Sequence, residues 1–62
     1  MRLADYLKKQ KSNSRIFAEK IGASQSAVNK WIYGKRFPRH EHLKKILQIT
    51  DGKVTANDFY TD

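Results

Sequence analysis

Gln25, Ser26, Asn29 and Lys30 lie within one six-residue stretch, at spacings that a helix brings to one side. At about 100° per residue, Gln25, Ser26, Asn29 and Tyr33 group together with Lys30 at the edge, and Val28 and Trp31 face away. The chemistry available to such a group is hydrogen-bonded readout. Glutamine and asparagine present a donor and an acceptor together, which matches an adenine edge; serine does either, and lysine donates to guanine. A polar helix face ordinarily meets only solvent, so its surroundings decide what it means. Other chemistry is poorly supplied. No nucleophile stands with a plausible base, and neither paired carboxylates nor a glycine-rich phosphate loop appears, which argues against an enzyme. His40 and His42 are two apart and on a helix point in nearly opposite directions. Without cysteine they do not complete a metal site, and solvated or phosphate-adjacent histidines are expected. No cofactor, metal or small-molecule ligand is expected.

The elements that must position these residues are short. Leu3, Tyr6 and Leu7 give a first helix over about residues 2–10. Ser12-Asn13-Ser14 is a cluster of N-cap formers, and Phe17, Ala18 and Ile21 continue a second helix that Gly22 stops. Ser24 caps a third helix from about Gln25 to Tyr33, and Gly34 ends it. Pro38 permits a new start, and Leu43, Ile46 and Leu47 mark a fourth helix ending before Gly52. Thr55-Ala56-Asn57-Asp58 has the form of a capping box with Asp in the third position, flanked by Val54 and Phe59 at the hydrophobic-staple positions. A closing single turn or short helix is predicted there. Nothing alternates with period two for long enough to form a strand. The expected class is all-α, a compact bundle of about five short helices. Two helices joined by Gly22-Ala23-Ser24 alone must cross steeply, so a helix-turn-helix is read over Ser14 to Tyr33.

Sixty-two residues allow one domain, here residues 1–62, near the size at which a single core becomes marginal. With no cysteine, stability must come from packed helices. Met1-Arg2-Leu3-Ala4-Asp5 leads into charged residues without an apolar run. Neither a secretory signal nor a membrane anchor is expected, and a cytoplasmic or nucleoid location follows.

The net charge is +7, unevenly spread. Between Lys8 and Lys45, eleven lysines and arginines meet only Glu19 and Glu41, an excess of +9. Such a concentration fits a polyanion reached partly through counterion release. An anionic membrane fits less well, because the basic residues are not the polar face of one long amphipathic helix. Ser14 begins the second helix, where amide N–H groups and the dipole favour an anion. Arg15, Lys35, Arg36, Arg39 and Lys44 flank the motif and are candidates for the nucleic-acid backbone. Tyr33 stands open between a phosphate contact and a packed ring. Trp31, beside Val28, is expected in the core or at its rim. Lys8, Lys9 and Lys11 read as a solvated face.

Gln25-Ser26-Ala27-Val28-Asn29-Lys30, preceded by Gly22, resembles the recognition helix of the lambda-type phage Cro repressors. The wider pattern of Phe17, Ala18, Gly22, Ser24, Val28, Trp31, Gly34 and Pro38 is similar to the larger Cro/repressor helix-turn-helix superfamily. The resemblance implies base contacts for Gln25, Ser26, Asn29 and Lys30, with Ala27 placed against a thymine methyl. Two departures stand out. Trp31 occupies a position that is small in the lambda-type proteins. Residues after Pro38 read as helix where those proteins continue into dimer-building strands. The C-terminal half looks more like the all-helical Cro proteins of other lambdoid phages, in which basic residues before the fourth helix approach the minor groove. Arg36 and Arg39 occupy the matching ground.

The function implied is sequence-specific repression of the phage or prophage Cro type, with the third helix in the major groove of an operator. A DNA-binding antitoxin or other small-operon regulator is the alternative on the same domain. A helical protein-interaction module is the alternative from another class. One recognition helix reaches few base pairs, so a weak homodimer completed on the DNA is expected. The negatively charged C-terminal part, near Val54, Phe59 and Tyr60, is its predicted interface. Tyr60 is the better anchor there, because Phe59 competes as the staple partner of Val54.

Overall fold

Helix α1 spans Leu3–Lys9 and buries Leu3 and Leu7, four residues apart on one face. Asp5 in its first turn and Lys8 and Lys9 in its last complement the helix dipole. Lys11 then turns the chain at φ 53°, and the Ser12 amide donates back to the Leu7 carbonyl at 2.9 Å. This computed structural model describes residues 1–59.

Helix α2 spans Ser14–Ile21. Of the three N-cap candidates, Asn13 takes the role, its side-chain oxygen accepting from the Ile16 amide at 2.9 Å. Phe17, Ala18 and Ile21 form the buried face. Gly22 then adopts the left-handed conformation at φ 73°, and the amide of Ala23 closes onto the Ala18 carbonyl at 2.9 Å. Helix α3, Gln25–Ile32, follows three residues later, with Ser24 as its cap through a 3.1 Å bond from the Ala27 amide. Val28 and Trp31 are buried and Ile32 is half-buried against them. α2 and α3 pack on each other more extensively than any other pair of elements.

Helix α4 spans His40–Ile49, after a buried Pro38. Ile46 is fully buried, with Leu43 and Ile49 packed at the margin of the core. Leu47, expected on the same face, is 47% exposed. It follows Ile46 by one residue and is rotated about 100° away from it. His42 corrects the expectation of a solvated histidine. It lies four residues before Ile46, on the buried side of α4, and its ring packs against Trp31 with centroids 5.3 Å apart. The core is completed by Val54 and Phe59. Thr50 is buried at the end of α4, where its hydroxyl donates to the Ile46 carbonyl at 2.7 Å and accepts from the Val54 amide at 3.2 Å. One polar side chain thus joins α4 to the segment that closes the domain.

That segment ends in a single 3₁₀ turn, Ala56–Phe59. The described residues are therefore all-helical, with four α-helices and this one turn, and contain no strand. Half of the predicted capping box forms. The Asp58 carboxylate accepts from the Thr55 amide at 2.8 Å, but the Thr55 hydroxyl donates to the same carboxylate oxygen instead of accepting from the Asp58 amide. That amide bonds to the Thr55 carbonyl, which tightens the turn to 3₁₀. The Met1 ammonium reaches the same carboxylate at 3.1 Å and the Lys53 carbonyl at 2.9 Å, tying α1 to the closing turn.

The first prediction concerns Trp31, only 5% exposed. Trp31→Ala is expected to cost about 3–5 kcal/mol, which is most of what a domain of this size has. Circular dichroism on heating should show no cooperative transition near that of the parent protein; a barely shifted midpoint would contradict the burial. The second concerns acid. The Thr55 amide, aided by the Met1 ammonium, holds the Asp58 pKa below the 3.8 usual for aspartate. A depressed carboxylate pKa contributes stability that is complete above the usual value and disappears as pH falls through the folded-state value. Between about pH 5 and pH 2, Asp58→Asn should therefore lose less stability than the parent protein. Parallel decline of the two melting temperatures would remove Asp58 from the acid response.

Candidate nucleic-acid interface

Because Ser24 caps α3, the helix proper begins at Gln25, and Gln25 and Ser26 occupy its exposed first turn. Lys30 is exposed on the same arc. Tyr33, the C-cap residue, is 73% exposed, which removes the packed-ring alternative. Asn29 is half-buried and lies about 40° from Gln25 on the arc. Ala27 behaves differently, since it is half-buried and packs against the core. It lies about 40° from Trp31 on the helix and about 160° from Gln25, so it stands at the margin of the polar face.

A hydrogen bond links the starts of the two helices. The Gln25 side-chain amide donates to the Ser14 hydroxyl oxygen at 3.4 Å. Ser14 is the first residue of α2 and is half-buried. This contact leaves the Gln25 carbonyl oxygen and its second N–H for another partner. The polar face of α3 is thereby joined to a helix N-terminus, where backbone amides favour an anion. The sequence pairs donors and acceptors in abundance, but only the fold brings residues 14 and 25 together.

Arg15, Lys35, Arg36, Arg39 and Lys44 are all exposed. The one ion pair among the described residues is that of the Met1 ammonium with Asp58, so these cations are not neutralised within the domain. The Lys35 and Arg36 amides both donate to the Lys30 carbonyl, at 2.8 and 3.3 Å, wrapping the connection back over the end of α3. Arg36 and Arg39 line a cleft of about 320 Å³ with Gly22, Ala23, Ser24, Ala27 and Trp31, Phe37 and His42 completing it. Lys44 lies on α4 and does not line this cleft. The buried Nδ1 of His42 makes no hydrogen bond among the described residues. Its location was available in the sequence as the position four before Ile46.

Of the three residues named for self-association, two are buried. Val54 is 0% and Phe59 8% exposed, consumed by the core they were expected to staple. Tyr60 lies outside the described residues. The exposed large apolar side chains are elsewhere, among them Ile16, Phe37 and Leu47, with Phe37 edge-on to Phe59 at 6.1 Å. Among the described residues no cluster of His, Asp or Glu is placed to hold a metal ion, and no helix is long and apolar enough to cross a membrane. No known family model matches the chain, and neither a curated protein nor a solved structure matches it.

The exposed Ser14–Gln25 bond has a structural signature of its own. Ser14→Ala should change stability by no more than about 0.5 kcal/mol, as is usual at the surface. It should also bring the Gln25 side-chain amide protons to the nuclear magnetic resonance shifts of a free glutamine. Unchanged shifts in the variant would show that the bond does not hold Gln25.

Proposed function

We propose that this chain is a sequence-specific binder of double-stranded DNA and acts as a small transcriptional repressor, with α2 and α3 as a helix-turn-helix and α3 in the major groove. The observation that carries this reading is the exposed arc of Gln25, Ser26, Lys30 and Tyr33 around Asn29, bonded at Gln25 to the start of α2. Side chains able to read base edges thus lie beside a helix terminus suited to a phosphate. The resemblance of Gln25–Lys30 to a lambda-type Cro recognition helix supports the same assignment. In this reading Gln25, Ser26, Asn29 and Lys30 read bases, and Ala27 contributes a methyl contact from the margin. Ser14, Arg15, Tyr33, Lys35 and Lys44 meet the sugar-phosphate backbone, and Arg36 and Arg39 meet the backbone or the adjacent minor groove.

Two copies on a two-fold site complete the proposal. The domain measures 27 Å along its longest axis, which fits within the ~34 Å between half-sites one helical turn apart. Val54 and Phe59 lie in the core and do not themselves supply the contact; in this reading self-association is weak without DNA.

Selection of bound duplexes from a random pool tests specificity and symmetry together. A palindromic consensus supports the proposal, whereas recovery of unbiased sequence favours a module that meets acidic partners. On the selected site, Gln25→Ala or Asn29→Ala should lose about 1–3 kcal/mol of binding while non-specific affinity stays nearly constant. Arg36→Ala and Arg39→Ala should weaken binding to most sequences and flatten its salt dependence by about one unit of slope per lost phosphate contact. Equal losses on selected and random DNA for the α3 variants would refute the assignment of readout.

A further inference from the structure

The cleft beside the α2–α3 turn is built from unlike parts. Gly22, Ala23 and Ala27 line it, and their small side chains leave the room. Trp31 and His42, in ring contact with each other, form its aromatic wall. Arg36 and Arg39 stand on it as exposed guanidinium groups, with no ion pair among the described residues. At about 320 Å³ the space lies at the lower end of the range that small organic ligands occupy.

We infer that this cleft is a binding site for a small aromatic carboxylate. The ring would lie in the trough made by Gly22, Ala23 and Ala27, against the edge of the Trp31–His42 pair. The carboxylate would meet Arg36 and Arg39, whose forked donors match its two oxygens. Neither part suffices alone. An uncharged arene leaves both guanidinium groups unused, and a compact inorganic anion leaves the apolar trough unfilled. This departs from the expectation that the chain takes no small ligand. It also has a regulatory consequence, which rests on the DNA-binding reading: the ligand and a DNA phosphate would compete for the same two arginines.

Titration of the free protein with benzoate at constant ionic strength, followed by nuclear magnetic resonance, tests the site without any DNA. Saturable shifts are expected at the Trp31 indole N–H, the His42 ring and the Ala23 and Ala27 amides. Benzyl alcohol and inorganic phosphate, used as probes of each half alone, should bind about tenfold or more weakly. Arg36→Gln with Arg39→Gln, both at exposed positions, should weaken benzoate by a similar factor while leaving the melting temperature in place. His42→Phe keeps a ring against Trp31 and should still bind, with altered affinity. Shifts that rise linearly with benzoate, that match those caused by phosphate, or that survive loss of both arginines overturn the site. Saturating benzoate should also lower affinity for the selected duplex several-fold. If the duplex shows no sequence preference, the DNA reading fails while the titration of the free protein still decides the site.

Discussion

Between Ile21 and Gln25 the backbone has three residues in which to end one helix, reverse and begin the next. Everything the α3 face presents depends on that connection. Gly22 supplies the left-handed turn at φ 73°, a conformation in which a side chain is strained. Ala23 returns a hydrogen bond to Ala18, and Ser24 satisfies the first turn of α3. The short turn forces the two helices into contact, which is why Ala18 is small and buried and why Val28 is wholly inside. The same geometry carries Gln25 to Ser14. A longer connection would release both the packing and that pairing.

The rest of the domain supports this pair from one side. A chain of this length buries few large side chains, and the core consists of residues drawn from every element. Trp31 is the largest of them, and through His42 it joins α3 to α4. The Thr50 hydroxyl bridges the Ile46 carbonyl of α4 and the Val54 amide, and Asp58 holds the closing turn to Met1. These polar ties act beside the buried Val54 and Phe59 and order the segment that carries them. The cations of the central segment take no part in them. Their mutual repulsion opposes folding, and the core must overcome it when no anion is present.

Much of the fold was legible because local signals agreed with one another. The cap at Ser24, the stop at Gly22 and the apolar spacing of Phe17, Ala18 and Ile21 all point to the same boundaries, and the structure places α2 and α3 within them. Asn13 rather than Ser14 became the cap of α2, a choice among neighbours of equal propensity that local sequence does not resolve. Leu47 and His42 were misplaced for a different reason. Hydropathy assigns leucine to the inside and histidine to the outside. The rotation of α4, set by Ile46 and Thr50, puts them the other way. The exposed arc of α3 followed from periodicity alone. The Ser14–Gln25 bond and the cleft were not legible, since each depends on contacts between distant segments. The closing turn illustrates the limit. Half of its capping box forms, and the staple beside it makes Val54 and Phe59 unavailable to a partner.

In this domain the presenting helix and the stabilising helix are the same object. Val28 and Trp31 hold α3 in the core, and Gln25, Ser26 and Lys30 leave it one to three residues away. A side chain on the exposed arc is therefore removable with little effect on folding, while one on the buried arc reorients the whole polar face. Asn29 lies between these cases: it is half-buried, and partial burial reduces the rotamers open to it. Ordering of this kind lowers the entropy lost when a polar side chain meets a partner. Lys30, exposed on a flexible stem, retains that entropy and contributes mainly charge. The same short helix thus combines a half-buried amide near one margin of its polar arc with mobile charge at the other. That division follows from the 3.6-residue period, which places position 29 only about 40° from position 25 and position 30 on toward the far margin.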